Sequence, residues 1–427
     1  MKQNIINEFI NKKVLILGFG REGRSTYKFI KNNNVNCEIG IADKNEILDE
    51  EVISDKNVTI HTGENYMDSL YSYDLIMKTP GISFKGKNVD GILDKITSQT
   101  ELFLKYAAEK TVGITGTKGK STTASLTYEM LSKKYNAMLV GNIGLPVFEA
   151  IDKYEDTDVF VFELSSHQLE HVKYSPHIAV VLNMFEEHLD HYNSYDEYKE
   201  AKRNVFKHQT KNDYYILNND MKDIILGNHA LNQNIIDVNV DENVETSLMG
   251  KHNKYNVCVA KTIAEIYNVD EKDILDVAKS FKGLPHRLEY IGKYNNIHFI
   301  DDSIATIPEA AISAIESLEN VQTIILGGMD RGIDYSKLIE YLNIKPVGNI
   351  ILMNDSGRKI YEGLDKNNAN CNILLVEDLE EAVKMAYKYT NENMTCVLSP
   401  AAASYGIFKN FEERGDKFKE YVETYAK

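Results

Sequence analysis

Short apolar runs recur along the chain. Most are followed by a glycine-rich or polar turn and then by apolar residues at helical spacing. Lys13-Val-Leu-Ile-Leu17, Glu38 to Ala42 and Leu75-Ile-Met-Lys78 read as buried strands of a first region, residues 1–97. In a second, residues 98–286, Thr111-Val112, Val159 to Leu164 and Ile178 to Leu182 read the same way, with helices expected over Ala124 to Leu131 and Tyr195 to Lys207. In a third, residues 287–427, Ile297 to Ile300, Thr323 to Leu326, Asn349 to Leu352 and Cys396 to Leu398 alternate with helical stretches. Such alternation predicts parallel sheets with helices on both faces. The expected fold class is α/β in three domains, with a joint at Gly283-Leu-Pro-His-Arg287, where Gly and Pro precede a new strand.

Chemistry enters first at Gly113-Ile-Thr-Gly116-Thr117-Lys118-Gly119-Lys120-Ser121-Thr122-Thr123, between a strand and a helix. A strand, a glycine-rich turn and a helix make a phosphate cradle. The turn's N–H groups and the helix N-terminus face the anion, Lys120 supplies a point charge, and Ser121 or Thr122 can hold Mg²⁺. The usual spacing puts a glycine where Ile114 stands, and Gly113 and Gly116 flank the usual positions instead, so the loop is a variant. The ligand expected here is a nucleoside triphosphate, and the second domain is expected to be P-loop ATPase-like.

The first strand runs into Gly18-Phe-Gly20-Arg21-Glu22-Gly23, and Asp43 closes the second strand run. This is the dinucleotide fingerprint of a Rossmann-like domain, with an acid placed for a ribose hydroxyl. The same geometry suits any nucleotide diphosphate. Thr79-Pro-Gly-Ile82 ends a strand at the sheet edge where ligands sit. The third domain, also expected to be Rossmann-like, carries Gly327-Gly328, Asp330-Arg331 and Ser399 to Ser404 in its loops.

Glu163 ends a buried run just before Ser165-Ser166, where a carboxylate beside a phosphate loop can coordinate the metal of a triphosphate. His188, in Asn183 to Tyr192, reads equally as a hydrogen-bonded structural residue or a metal ligand. The helix from Tyr195 carries Lys199, Lys202, Arg203 and Lys207 with Glu197 and Glu200, a solvated face by its periodicity. Gly250 to Asn256 opens another helix, and its amides Asn253 and Asn256 either cap that helix or face a base.

The net charge of −16 argues against nucleic acid or an anionic membrane as the main partner. Cys37, Cys258, Cys371 and Cys396 show no paired spacing, as expected of reduced thiols in a cytoplasmic protein. No apolar signal region or membrane-length run is seen, so a soluble protein is expected.

Taken together, Gly116 to Thr122, Glu163-Leu-Ser-Ser166, Asn183 to Tyr192, Ala201-Lys202, His252-Asn253, Gly283 to Arg287, Asp302-Ser303 and Ser399 to Phe411 with Glu413-Arg414-Gly415 resemble the Mur ligases. These are ATP-dependent amide-forming enzymes of peptidoglycan precursor synthesis. The resemblance spans nearly the whole chain. It implies a UDP-substrate domain over 1–97, an ATP-binding domain over 98–286 and an amino-acid-binding domain over 287–427, so the first fingerprint becomes a UDP site rather than an NAD site. The activity implied is ligation of D-glutamate to UDP-N-acetylmuramoyl-L-alanine through an acyl phosphate, by a cytoplasmic monomer.

The resemblance also implies roles for single residues. Gly116, Thr117, Lys118, Gly119, Lys120, Ser121, Thr122, Asn253, Asn256, Arg287 and Asp302 would bind ATP. Gly18, Gly20, Arg21, Glu22, Gly23, Asp43, Lys44 and Asn142 would bind the UDP-substrate. Thr306, Arg331, Ser404, Tyr405 and Phe411 would bind glutamate. Ser121, Glu163, His188 and Lys202 would hold two Mg²⁺ ions, with Lys202 carboxylated on its amine, and Lys120, His188 and Lys202 would be catalytic.

One departure is Ser303-Ile304-Ala-Thr306-Ile307, where the family has Ser-Lys-Ala-Thr-Asn. With Gly20 to Gly23 it also fits a divergent branch that adds L-glutamate, which leaves the stereochemistry open. A folylpolyglutamate-synthase-like ligase would lack the first domain. A non-catalytic paralogue would rest on Ile304 alone, and an NAD dehydrogenase on the first motif alone.

Overall fold

A computed structural model describes residues 1–87, 89–188, 191–241, 243–248, 251–318, 320–366 and 371–426. Leu189 and Asp190 of the Asn183 to Tyr192 motif, and Gly250 before the Asn253 helix, lie outside the described residues.

Three sheets form. The first holds β1 (Lys13–Leu17), β2 (Glu38–Asp43), β3 (Val58–Thr62), β4 (Leu75–Lys78) and β5 (Ile96–Thr97) in the order β3-β2-β1-β4-β5, all parallel. The second holds β6 (Thr111–Thr115), β7 (Ala137–Gly141), β8 (Val159–Glu163), β9 (Ile178–Val181), β10 (Tyr214–Leu217) and β11 (Asn234–Asp237) in the order β11-β10-β9-β6-β8-β7, again all parallel. The third holds β12 (Glu289–Tyr294), β13 (Ile297–Asp301), β14 (Val321–Gly327), β15 (Asn349–Met353), β16 (Asn372–Val376) and β17 (Thr395–Leu398) in the order β12-β13-β17-β14-β15-β16. The class is α/β, as the alternation implied.

The central strands are buried on both faces, which is why they read as unbroken apolar runs. Every residue of β6, β8 and β9 is buried. Backbone contacts divide the chain into two compact units, Met1–Thr246 with Lys251–Lys279, and Ser247–Gly250 with Ser280–Lys427. The first unit contains two sheets and the second contains one.

Two differences from expectation have local causes. The helices after the glycine-rich loops start at Arg21 and Lys120, four residues before the apolar spacing marks them at Ser25 and Ala124. A first turn that presents free amides is polar, so periodicity misses it. In the third sheet β12 runs antiparallel to β13, where only parallel strands were expected. Asn295 and Asn296, at φ +48° and +63°, close this hairpin, as a two-residue turn with both centres left-handed requires. Among the described residues, no helix is long and apolar enough to cross a membrane.

Candidate active site

In the second sheet β6 lies between β8 and β9, so the loops leaving these three strands converge at one carboxyl edge. The phosphate loop leaves β6. Gly119 sits at φ +86° as the residue preceding the Lys120–Leu131 helix, and an added Cβ would come within 2.7 Å of Asn256 Oδ1. Only glycine combines that backbone angle with such close approach. The helix carrying Asn253 and Asn256 therefore packs against the loop, and Asn256 Nδ2 donates to Asn253 Oδ1 at 3.1 Å.

Asn183, immediately after the β9 run, clamps the loop from the other side. Its Oδ1 accepts from Lys118 N at 2.8 Å, its Nδ2 donates to Lys118 O at 3.0 Å, and its carbonyl accepts from Thr117 N at 3.1 Å. Thr117 Oγ1 lies 2.7 Å from the Tyr198 hydroxyl. Sequence reading gave neither Asn183 nor Tyr198 a role. The signal available was an amide placed at the end of the strand next to the phosphate-loop strand.

Lys120 Nζ donates to Gly116 O at 2.9 Å and Thr117 O at 2.8 Å, so its charge is held within the loop. Lys202 is fully buried, and its Nζ donates to Gly116 O at 2.8 Å and lies 4.9 Å from the Tyr198 ring centre. Burial, and then the nearby Lys120 charge, hold the Lys202 amine well below the usual lysine range. The solvated face expected of this helix is thus wrong at Lys202, which points into the site. The helix also buries Arg203, whose guanidinium bonds Ile224 O and Ile225 O.

Glu163 ends β8 in register with Ile114 of β6 and is wholly buried. Its Oε1 accepts from Asn142 Nδ2 at 2.9 Å, and its Oε2 is buried with no hydrogen-bond partner among the described residues. A buried carboxylate oxygen left idle is costly, and a divalent cation would satisfy it. The residues present fit Mg²⁺. Ser121 is buried in the first turn of the adjoining helix. His188 adopts φ +60° with its ring half-exposed, 4.6 Å from the His167 ring centre. His167 is half-buried and packs still closer on His191, 4.2 Å between ring centres; burial first, then the His191 and His188 charges, push its pKa down to about 3.

At the first sheet's carboxyl edge the fingerprint residues bond largely to protein. Asp43 Oδ2 accepts from Phe19 N at 2.7 Å and its Oδ1 from Asn45 N at 2.8 Å, which fixes the fingerprint turn. Arg21 donates to Gly141 O at 3.0 Å, and Glu22 accepts from Gln168 Nε2 at 3.0 Å. Burial raises the Glu22 pKa, partly opposed by that bond. Lys44 pairs with Glu64 in solvent. The chain thus spends Arg21 and Glu22 on joining the first sheet to the second.

In the second unit β13, β17 and β14 are neighbours, so the loops bearing Asp302 to Thr306, Ser399 to Phe411 and Gly327 to Arg331 meet at one edge. Asp302 is buried; its Oδ2 accepts from Ser399 Oγ at 2.7 Å and its Oδ1 from Leu288 N at 3.2 Å. Burial lifts its pKa to about 7 against those two bonds. Ser404 is buried, Thr306 and Phe411 are half-buried, and Arg331 and Tyr405 are exposed. Arg287 is exposed at the joint, with its N–H on Leu284 O. Ile304 is half-buried, and its N–H donates to His286 O at 3.1 Å.

A phosphate loop, a buried carboxylate open on one side and a desolvated lysine are what phosphoryl transfer coupled to bond formation requires, and comparison with known proteins gives this class its name. The sequence matches the Mur ligase MurD-like N-terminal domain over residues 12–97, the Mur ligase middle domain over 114–242 and the Mur ligase glutamate ligase domain over 286–402. A protein of Clostridium acetobutylicum named UDP-N-acetylmuramoylalanine--D-glutamate ligase is 34% identical across 97% of this chain and 98% of its own. The protein of the same name from Clostridium tetani is 32% identical across 98% of each. The fold is that of UDP-N-acetylmuramate-alanine ligase MurC from Thermotoga maritima (TM-score 0.54, 18% identity, 97% of this chain, 100% of the other). It is equally that of Thermotoga maritima MurF solved with ADP (TM-score 0.55, 15% identity, 98% and 97%). The chain is an ATP-dependent amide-forming ligase. It belongs to the Mur ligase family, whose members use ATP with Mg²⁺.

Proposed function

We propose that the chain joins D-glutamate to UDP-N-acetylmuramoylalanine with conversion of ATP to ADP and phosphate. The observation that carries this reading is the convergence of Lys120, Lys202 and the half-satisfied Glu163 at one sheet edge, in a chain whose curated relatives carry that reaction in their names. A carboxylate does not condense with an amine in water unaided. The γ-phosphoryl of ATP therefore passes to the alanyl carboxylate, giving an acyl phosphate and ADP. The glutamate amine then attacks the carbonyl carbon, loses a proton, and the tetrahedral adduct expels phosphate.

In the first step two anions approach each other. Lys120 exchanges its two loop carbonyls for phosphate oxygens, and the amides of Gly119 to Thr122 orient the triphosphate. Asn253 and Asn256 are the further nucleotide contacts of the first unit, and Arg287 and Asp302 are those of the second. Gly18 to Gly23, Asp43, Lys44 and Asn142 take the UDP-substrate, and Thr306, Arg331, Ser404, Tyr405 and Phe411 take glutamate. Domains over 1–97, 98–286 and 287–427 divide these tasks. Ser121, Glu163, His188 and Lys202 would hold two Mg²⁺ ions, which when bound neutralise charge between phosphate and carboxylate. The depressed Lys202 pKa supports N-carboxylation, because only a neutral amine adds to CO₂, releasing one proton as the carbamate forms.

L-glutamate is the second reading, favoured by Ile304 and Ile307 in the loop where the family carries a cation and an amide. Phosphate release measured with UDP-N-acetylmuramoyl-L-alanine and either D- or L-glutamate separates the two. Release with D-glutamate alone supports the first, release with L-glutamate the second, and silence with both removes each.

A further inference from the structure

Arg414 belongs to none of the substrate sites above, yet it is among the most completely buried large side chains of the protein. It lies in the first turn of the Phe411–Tyr425 helix, behind an Asn410 cap on Glu413 N. A buried guanidinium needs partners for its donors. Its Nε donates to Ser303 Oγ at 3.0 Å, one Nη to Ser303 O at 2.8 Å and the other to Ala402 O at 3.0 Å. Ser303 Oγ in turn donates to Phe411 O at 2.8 Å, and Ser303 N–H to Asp301 Oδ1 at 2.9 Å. One planar group thus ties together the loop after β13, the loop after β17 and the start of the last helix.

The neighbouring residue extends the same knot. Gly415 lies so close to the His286–Asp301 pair that an added Cβ would sit 2.1 Å from His286 Nδ1 and 2.6 Å from Asp301 Oδ2. His286 Nδ1 is 2.7 Å from Asp301 Oδ2, and the His286 carbonyl holds the N–H of Ile304. Every residue proposed above for nucleotide or amino acid in this unit, except Arg331, follows or adjoins a segment held here. Asp302 precedes Ser303, Arg287 follows His286, and Ser404 and Phe411 flank the Ala402 and helix-start contacts.

We propose that Arg414 is the positioning residue that sets the nucleotide contact Asp302 and the amino-acid pocket around Ser404 and Phe411 in one fixed relation, without touching either substrate. The assignment rests on the functional reading of these residues given above. Lysine cannot replace it, since one ammonium nitrogen cannot reach three acceptors that the guanidinium meets from three separate nitrogens.

The test uses the full-length protein with Arg414→Ala, Arg414→Lys and Ser303→Ala, the last removing the bridge to Phe411 with little change of volume. Arg414→Ala is expected to raise the KM values for ATP and glutamate together by about tenfold each and to leave that of the UDP-substrate unchanged. Added guanidinium should restore both, and Arg414→Lys should not. Ser303→Ala should show the same pattern at smaller size, and it carries the test if Arg414→Ala does not fold. Equal change in all three KM values, change in only one of the pair, or no change in Ser303→Ala would overturn the proposal. ADP affinity by calorimetry tests the nucleotide half independently: wild type that binds ADP but ligates no glutamate discredits the functional reading alone, whereas unchanged ADP affinity in Arg414→Ala discredits the positioning role.

Discussion

Asn142 and Glu163 are bonded to each other twice, side chain to side chain at 2.9 Å and Asn142 N–H to Glu163 O at 3.1 Å. The loop after β7 thereby fixes the end of β8 and orients one carboxylate oxygen, while the other lies buried and unused. A site that keeps an idle buried oxygen gives up stability to hold charge in readiness.

That relationship makes Glu163→Gln informative. Removing the buried charge should leave the melting temperature equal or higher in metal-free buffer. The stabilisation by ADP with Mg²⁺, about 2.7 kcal/mol at ligand one hundred times Kd, should disappear. Phosphate release should fall at least about a hundredfold. Thermal unfolding with and without the ligand pair checks this; retained stabilisation by ADP with Mg²⁺ would remove Glu163 from the metal site.

Lys120→Met tests the phosphate loop. Its ammonium bonds two loop carbonyls, so the substitution removes one donor from each, at a cost of about 1 kcal/mol for Thr117 O and less for Gly116 O, which keeps its bond from Lys202. The loss in catalysis should be larger, about 3–4 kcal/mol of transition-state stabilisation. A folded protein by circular dichroism with phosphate release down several hundredfold is the expected outcome. Turnover within tenfold of wild type would move the charge-neutralising role elsewhere.

The strands that place this chemistry were readable because burial on both faces of a parallel sheet leaves unbroken apolar runs such as Val159 to Phe162. The edge strands were not. β3 is largely exposed and β11 almost wholly so, and nothing in Val58–Thr62 or Asn234–Asp237 distinguishes them from a loop. Glu163 and Lys120 could be anticipated because each sits at a fixed offset from a strand or a glycine loop. Lys202 could not be separated from Lys199 by spacing. What separates them is tertiary: Lys202 is fully buried beside Gly116, whereas Lys199 pairs with Asp196 at the surface. Arg414 was legible only as part of a motif, since its acceptors, two on Ser303 and one on Ala402, lie far apart in sequence.

Lys202 carries a prediction of its own. A neutral buried amine can add to CO₂, and the carbamate would supply the anion that the metal site otherwise lacks on that side. Activity should therefore fall when CO₂ is stripped from the buffer and return with bicarbonate. Lys202→Arg, which cannot be carboxylated, should be inactive under both conditions. Mass spectrometry of the native protein gives a second readout. Full activity in CO₂-free buffer would rule out the modification.

Asp302 sets a pH dependence whose sign follows from its burial. Its pKa is raised to about 7 from an ordinary value of 3.8, so between those values the folded chain holds a proton that the unfolded chain has released. Stability from this group is fully present below about pH 3.8 and is lost as the pH rises through about 7, with a slope approaching about 1.4 kcal/mol per pH unit. Asp302→Asn keeps partners for Ser399 Oγ and Leu288 N–H but cannot ionise. The free energy of unfolding in urea, measured for both proteins from pH 5 to pH 7.5, should favour the variant by an amount that grows by about 2 kcal/mol over that range. Other buried acids such as Glu101, also raised to about 7 by burial, act alike in both proteins and cancel in the difference. If Asp302 accepts the ribose hydroxyls of ATP, the wild-type KM for ATP should fall as the carboxylate ionises near pH 7, and that of the variant should stay flat. A stability difference independent of pH would mean that Asp302 is already charged in the folded protein at pH 5, and that the bonds from Ser399 and Leu288, with the Arg287 charge, dominate over burial.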